Sequence, residues 1–518
     1  MQRINECHMI LPEKKLQLNA LAQEKHIAIQ CPDAPGVDSI AAAFGLYCFF
    51  RSKGKPATIF YAGKEPISRP NVVELVHQLS IPLEHRTDPA PCRGLIIAVG
   101  CQPGTPGATA IGCDSLVVLD NHPKATPLPE QSDIRPHLTC CATLVWHLLH
   151  DADYTLEKGL ATALLYSLYI ESNAFTEIRF PLDADMREAL VIDEELFRKL
   201  ERSNLSLQDL ATTAQALNAL EYHAEGRYVL VNVLPCDPSI RTFISTLAMR
   251  VNKVDMAVVF SETQEDVRFS ISSAVRDVQA TDLAQWFSAN KANATGGTHE
   301  QAGGVIPAKE CTQGSTTPLA FFQAQLQRYL NSYSVIDCAA ITHFSTQGFR
   351  AYQKHPVELA YIRCEDVFTN GTVLHVRMLE GDITVVANAD TYLMIGLQGE
   401  VYPIAKEKFD SLYTPTNAPA NPRPFLYPPT VRKDNAQNRT TLLQHALGCI
   451  SKEYRVLARQ LDHGVKLFTR WDSRRYVRGN PGDWLIQPKN DSTDLYVITR
   501  ELFPLLYTAV RPAQHTGE

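Results

Sequence analysis

The strongest constraint on this chain is a series of short, largely apolar runs in its first 120 residues. They lie at 27–31, 57–61, 95–99 and 116–119, and helical patterns fall between them at 40–51 and 72–79. Each run is too short for a helix and none alternates apolar with polar residues, the pattern of strands buried on both faces. Strands interleaved with helices predict an α/β fold with a doubly wound parallel sheet. Ligands of such sheets gather at the carboxyl ends of the strands. The loops at 32–39, 100–104 and 120–123 are therefore where a site is expected.

Further along, 142–211 reads as mostly helical, with an interruption at 172–185. Apolar runs return at 227–231, 255–260 and 267–271 and end near a Gly-rich loop at 295–304, which predicts a second, smaller α/β domain. The last third contains an internal repeat. Residues 402–414 match 496–508 without a gap at seven of 13 positions, among them Tyr402 and Tyr496, Phe409 and Phe503, Tyr413 and Tyr507. Upstream, Asn388 and Tyr392 line up with Asn480 and Trp484 after a two-residue gap. A duplicated β-rich module is the simplest cause. The Pro-rich stretch 414–430 reads as a stiff linker between the copies. Tyr402, Phe409 and Tyr413 read as module core.

The bulk numbers narrow the function classes. At roughly 150 residues per domain, 518 residues predict about three domains. With 49 Lys+Arg against 56 Asp+Glu the net charge is -7, so the chain does not hold nucleic acid by overall charge. The 13 Cys include no C-x-x-C pair, which speaks against a disulfide framework and a thiolate zinc site and for buried thiols in a reducing compartment. The N-terminus has no apolar signal core. The longest near-apolar run, 160–170, is far short of the ~20 residues of a membrane helix. The expectation is a soluble, cytoplasmic protein.

Several motifs occur in order: a strand–turn–helix with Asp38 near the turn, a strand ending in Leu119-Asp120-Asn121-His122-Pro123, and a late Gly296-Gly297-Thr298-His299 loop. Together they resemble the DHH phosphoesterase superfamily over roughly 28–308. The second domain resembles its DHH-associated nucleotide-binding domain. The repeats resemble small modules marked by Pro-Gly-Asp-Trp, here Pro481 to Trp484, that follow this pair in some bacterial members. The resemblance implies a DHH-like domain at 1–195, a helical linker at 196–225 and a DHH-associated domain at 226–330. A first repeat module at 331–415, a Pro-rich linker at 416–435 and a second module at 436–518 complete the division. Active members of the family hydrolyse phosphodiester bonds of short oligonucleotides, cyclic dinucleotides or single strands with two manganese ions.

Such a clamp needs carboxylate and imidazole ligands and a carboxylate that bridges the two ions. Carried over position by position, the family's first loop His falls on Pro32 and its first Asp on Gly36, leaving Asp38. The alternative slide keeps Asp33 and places Ile29 and Pro35 at ligand positions. The bridging Asp falls on Gly100, and the ligand His of the third motif on Asn121, with Asp120 and His122 kept. Glu171 stands where a helix supplies the last Asp. The resemblance thus implies a degenerate metal set of Asp38, Asp120 and Glu171, holding no metal or one weakly bound Mn²⁺ or Mg²⁺. His122 is left as the catalytic, phosphate-contacting residue. Asp38 also stands where it would cap the helix that begins near Ile40.

Gly296, Gly297, Thr298 and His299 are implied as the substrate-binding loop, for which backbone N–H groups and an imidazole suffice. Many relatives place an Arg where Ser272 stands, and Arg276 could replace it only if the strand ends early. Eleven Lys and Arg against four acids between 430 and 480 form a local basic segment, read as an anion surface or as a solvated helix face at 452–459. The resulting expectation is a phosphoesterase-like protein that binds a small nucleotide or short single-stranded oligonucleotide, with the two-metal site largely lost. A residually active metal-dependent phosphodiesterase and a structural or interaction subunit working through its repeats are the alternatives. No membrane partner is expected, and the protein partner and oligomeric state stay open.

Overall fold

The structure is a computed structural model. It describes residues 16–510 apart from 173, 176–177, 179, 289–293, 296–299, 312–316, 379–380, 397–398, 400, 421–426, 435–438, 453–454, 470–475 and 489–492. The chain falls into two compact units, residues 16–211 and, in the main, Thr212 onward.

The first unit runs α1 (Leu18–Leu21), β1 (Ile27–Gln30), α2 (Val37–Ser52), β2 (Ala57–Tyr61), α3 (Pro70–Gln78), β3 (Leu83–His85), β4 (Cys92–Val99), β5 (Cys113–Asp120) and β6 (Asp133–Ile134). Helices α4 (Cys141–Asp151), α5 (Lys158–Glu171), α6 (Pro181–Ala189) and α7 (Glu194–Glu201) follow. The six strands are all parallel and ordered β3-β2-β1-β4-β5-β6. This is the expected doubly wound sheet. The apolar runs are its four central strands. The edge strands β3 and β6 are too short and too polar to show as runs, because a rim strand has less surface to bury. Ile29, Ile97, Val99, Val118 and Leu119 are fully buried. Helix α2 is buried nearly all round, and its small residues let neighbours close in. A Cβ on Gly45 would meet Leu149 and Val145 at 3.2 Å. The strand order reverses between β1 and β4, so the crevice beyond their carboxyl ends is the natural ligand position.

Helix α8 (Leu207–Asn218) leads into the second unit. Its first part contains β7 (Leu220–His223), β8 (Tyr228–Asn232), α9 (Pro238–Ala248), β9 (Met256–Glu262), β10 (Asp266–Ser273), α10 (Ala280–Phe287), β11 (Ala294–Thr295), β12 (Gln301–Pro307), α11 (Ala308–Cys311) and α12 (Pro318–Leu330). The strands form one mixed sheet, β11-β12-β10-β9-β8-β7, with β8 and β9 parallel. Phe260, Phe269, Phe287 and Phe322 fill its core. This is the second α/β domain read from the sequence.

Beyond α12 the chain is β-rich. One five-stranded sheet combines Glu358–Arg363, Thr391–Ile395, Val401–Ala405, Tyr413–Pro419 and Leu447–Ser451. Another combines Arg350–Lys354, Arg455–Gln460, Trp484–Pro488, Tyr496–Ile498 and Tyr507–Ala509. Phe409 is buried in the first core, with Tyr402 and Tyr413 packed against it. The residues around Arg455 are a strand and not the helix face expected from charge spacing. The basic segment is also dispersed. Arg439 bonds Thr430, Lys433 lies over Phe368 and Arg459 over Phe349. Among the described residues no helix is long and apolar enough to cross a membrane.

One member of that segment is buried. Lys466, 2% exposed, donates to the Tyr329 hydroxyl at 2.9 Å and to the Asp277 carbonyl. Its ammonium lies 3.2 Å from the Tyr333 ring centroid, 4.3 Å from that of Tyr329 and 4.8 Å from that of Tyr476. Ring faces attract a cation, yet loss of water dominates and burial pushes Lys466 down to about 7, against the pull of Asp282 and Asp277. The folded value lies below the unfolded one, so the unfolded chain binds more protons above neutrality. Lys466 therefore adds stability as pH rises from 7 towards 10, at up to ~1.4 kcal/mol per pH unit. Urea melts at pH 7 and 9.5 should show this rise in the wild type and lose it in Lys466→Met; equal slopes in both proteins would refute it.

Candidate functional site

The crevice is built from the three loops named from the sequence. After β1 the chain turns through Cys31 to Gly36 and enters α2. Gly36 is the N-cap and offers no side chain. Asp38, expected to cap α2, does not. Its Oδ2 accepts from the Cys141 amide at 2.9 Å, and its Oδ1 accepts from the Ala142 amide at 2.8 Å and from the Ser167 hydroxyl at 2.8 Å. These amides open α4, whose own N-cap, Cys140, makes no side-chain cap. Asp38 therefore caps a helix 103 residues away, where the positive end of the dipole favours a carboxylate. Burial pushes its carboxyl up; the two amides, Ser167 and the nearby His122 pull it back down.

Asp120 closes β5 and is 1% exposed. One oxygen meets His122 Nδ1 at 2.8 Å and the other accepts from Gln102 Nε2 at 2.9 Å. Gln102 is buried as well, donates to the Pro123 carbonyl at 3.0 Å and accepts from the Ala125 amide at 2.8 Å. The His122 ring is thereby held by Nδ1 with 56% of its side chain exposed. The Asp120 bond pulls its pKa above the ordinary imidazole value against desolvation, and the charges of Asp38 and Glu171 add to the pull. Glu171 is the exposed last residue of α5. The Asn121 amide donates to the Thr139 carbonyl at 3.2 Å, and its buried oxygen has no hydrogen-bond partner among the described residues.

Asp38, Asp120 and Glu171 all act electrostatically on His122. Pro32 and Gly36 have no donor side chain. Gly100 adopts φ +65°, and a Cβ there would lie 3.3 Å from Ser39 Cβ. Asp38 and Asp120 direct their oxygens at protein donors. Among the described residues no group of three or more His, Cys, Asp or Glu side chains could hold a metal ion. Four buried thiols, Cys31, Cys101, Cys140 and Cys141, surround the floor. Burial pushes Cys31 up to about 12, and the others also rise well above their ordinary value. A protonated thiol is a poor ligand. The residues present do not fit a two-metal centre.

Three participants were not legible in the sequence. Gln102 stands beside Gly100 in an unremarkable turn, and Ser167 lies within a helical run. Asp183 is fully buried and accepts from the Thr139 amide, both Thr139 and Thr143 hydroxyls and the Phe180 amide, fastening α6 to α4. Burial pushes Asp183 up to about 6. A positive group also borders the crevice: Arg69 Nη1 lies 3.9 Å from where a Cβ on Gly36 would be.

In the second unit Gly296, Gly297, Thr298 and His299 lie outside the described residues. Ser272 is buried and bonds Ser245 at 2.8 Å. Arg276 lies beyond the end of β10. It pairs with Asp337 at 2.7 Å and lies 3.8 Å over the Phe468 ring.

No protein-family model matches the chain, and no curated protein does. Solved structures do. An exopolyphosphatase-related protein from Bacteroides fragilis aligns with 60% of this chain and 94% of its own, at 15% identity and TM-score 0.43. RecJ in complex with Mn²⁺ from Thermus thermophilus aligns over 78% and 72%, at 14% and 0.35. The pGpG-specific phosphodiesterase PggH from Vibrio cholerae aligns over 58% and 99%, at 10% and 0.26. These TM-scores and identities are too low to transfer a residue role.

The Asp38 geometry makes a direct prediction. Asp38→Ala leaves two helix-end amides and a hydroxyl without an acceptor and should lower stability by roughly 2–3 kcal/mol. Asp38→Asn, which keeps one acceptor, should fall in between. Chemical denaturation of the three proteins measures this, and an Ala variant as stable as wild type would exclude the capping role.

Proposed function

We propose that this chain is a phosphoesterase-like protein of the DHH type that binds small nucleotides or short single-stranded oligonucleotides and has lost two-metal hydrolysis. The observation that supports this reading is where the surviving carboxylates point. Asp38 closes a helix end and Asp120 orients His122, while Gly100 stands at the bridging position. A bridging carboxylate holds two ions together against their repulsion. Without one, charge neutralisation worth several kcal/mol is lost, and each ~1.36 kcal/mol is tenfold in rate.

Binding asks for less. His122 offers a half-exposed imidazole whose Nδ1 is fixed by Asp120, leaving Nε2 to donate to an anion when the ring is protonated. Arg69 brings a second positive group to the same crevice. On the sequence reading, the loop Gly296 to His299 offers backbone N–H groups and an imidazole as a separate anion-binding element. Asp38 and Glu171 set a negative field at His122, so the reading favours a ligand that presents a phosphate at His122 and Arg69 and keeps its remaining charge away from the carboxylates.

The test has two arms. Calorimetric titration with manganese should show no pair of ions bound, and dinucleotide or cyclic dinucleotide turnover should be slower than that of an intact relative by at least ~10³-fold. Mono-, di- and cyclic dinucleotides should raise the melting temperature, with about 1 kcal/mol of stabilisation at a few times the dissociation constant. His122→Ala and His299→Ala should each reduce the rise. Two bound manganese ions, or turnover matching the relative, would end this reading. No thermal shift at millimolar ligand would favour an interaction subunit working through the β-rich modules.

A further inference from the structure

The two C-terminal five-stranded sheets have matching strand orders, and each is completed from the other half of the chain. In the first, the chain segments Val401–Ala405, Thr391–Ile395 and Glu358–Arg363 lie side by side, followed by Leu447–Ser451 and then Tyr413–Pro419. In the second, Tyr496–Ile498, Trp484–Pro488 and Arg455–Gln460 are followed by Arg350–Lys354 and then Tyr507–Ala509. Leu447–Ser451 immediately precedes Arg455–Gln460 in sequence, just as Arg350–Lys354 precedes Glu358–Arg363. The corresponding strand of each copy is thus seated in the sheet of the other. Registers fix this on both sides. Ala360 faces Gly448 and Thr414 faces Ile450 in one sheet; Ala351 faces Leu457 and Gln353 faces Thr508 in the other.

A strand further upstream in each half also crosses over, whereas Arg439–Thr441 pairs within its own half. Tyr333–Asp337 pairs with Gly464–Phe468 of the second half, and Thr430–Lys433 pairs with Val373–Met378 of the first. The first of these pairings is parallel and the second antiparallel, so the exchange is not perfectly symmetric. Side chains follow the backbone. Tyr352, from the first half, packs in the second core against Trp484 at 5.4 Å and Phe503 at 4.9 Å. Cys449 and Leu447, from the second half, pack in the first core with Tyr361 and Phe409.

We propose that the chain from Tyr333 to Ala509 is a fused dimer of one module, in which each copy presents an open sheet position whose fitting partner is the same strand of the other copy. A strand with neighbours on both edges cannot leave without exposing two ladders of unpaired N–H and C=O groups. Neither copy therefore closes its sheet alone. Fusion in one chain makes the exchange intramolecular, at a high effective concentration. This inference is independent of the proposed ligand.

Hydrogen exchange on the intact chain tests it. Tyr352→Ala should speed amide exchange in Trp484–Pro488 at least about tenfold and leave Thr391–Ile395 near wild type, because a partly buried aromatic stabilises the core it packs against and local openings follow local stability. Faster exchange confined to Thr391–Ile395, or no change in either strand, would overturn the proposal. A second variant guards against global unfolding. A protease site placed at 421–426 in the Lys466→Met background, which removes a separate polar tie to Tyr329, is cut, and the product is run on size exclusion without denaturant. The two pieces should travel together; a C-terminal piece eluting alone would also overturn it.

Discussion

The first unit depends on one carboxylate reaching across the sheet. Asp38 lies on the second position of α2, yet its oxygens serve the opening amides of α4 and a hydroxyl on α5. Three helices that meet over the crevice between β1 and β4 are thereby joined at one buried charge. The arrangement works because α4 brings no capping side chain of its own and because α2 is lined with small residues that let α4 approach. It also sets a limit on chemistry. Asp38 already accepts three hydrogen bonds from fixed donors, and moving it would leave a helix end unpaired.

The same logic runs through β5. Asp120 is bracketed by Gln102 and His122, so its charge orients an imidazole and raises the ring's basicity. The crevice thus carries a half-exposed His122, with the Arg69 guanidinium close to Gly36 and protonated thiols at Cys31, Cys101, Cys140 and Cys141. Gly100 completes it. Its left-handed conformation, and the 3.3 Å that would separate an added Cβ from Ser39 Cβ, leave little room for a larger residue at this tight turn.

In the second unit, polar contacts do the joining as well. Arg276 and Lys466 are the two basic residues whose roles differ most from a charge count. Arg276 is held by Asp337 and stacked on Phe468, and Lys466 sits among three tyrosines. Both tie the region after β10 to strands near the end of the chain. Within the basic segment Lys466 is thus internal structure, while Lys433 and Arg459 stay exposed and lie over aromatic rings.

The amino-acid sequence by itself determined the doubly wound sheet, because strands buried on both faces must be short unbroken apolar runs. It determined the second α/β domain for the same reason, and it located the crevice through the loops that carry Asp38, Gly100 and Asp120. Only the tertiary structure decided how the remaining carboxylates are used. The partners of Asp38 lie more than a hundred residues away, and no local pattern encodes them. Gln102, Ser167 and Asp183 were invisible for that reason: a polar residue in a turn or helix reads as solvated until the fold buries it. The strand exchange in the C-terminal half was equally hidden. Strand signals are local, whereas the choice of neighbouring strand is made by long-range pairing, so the aromatic positions pointed to core residues but not to which strands lie beside them.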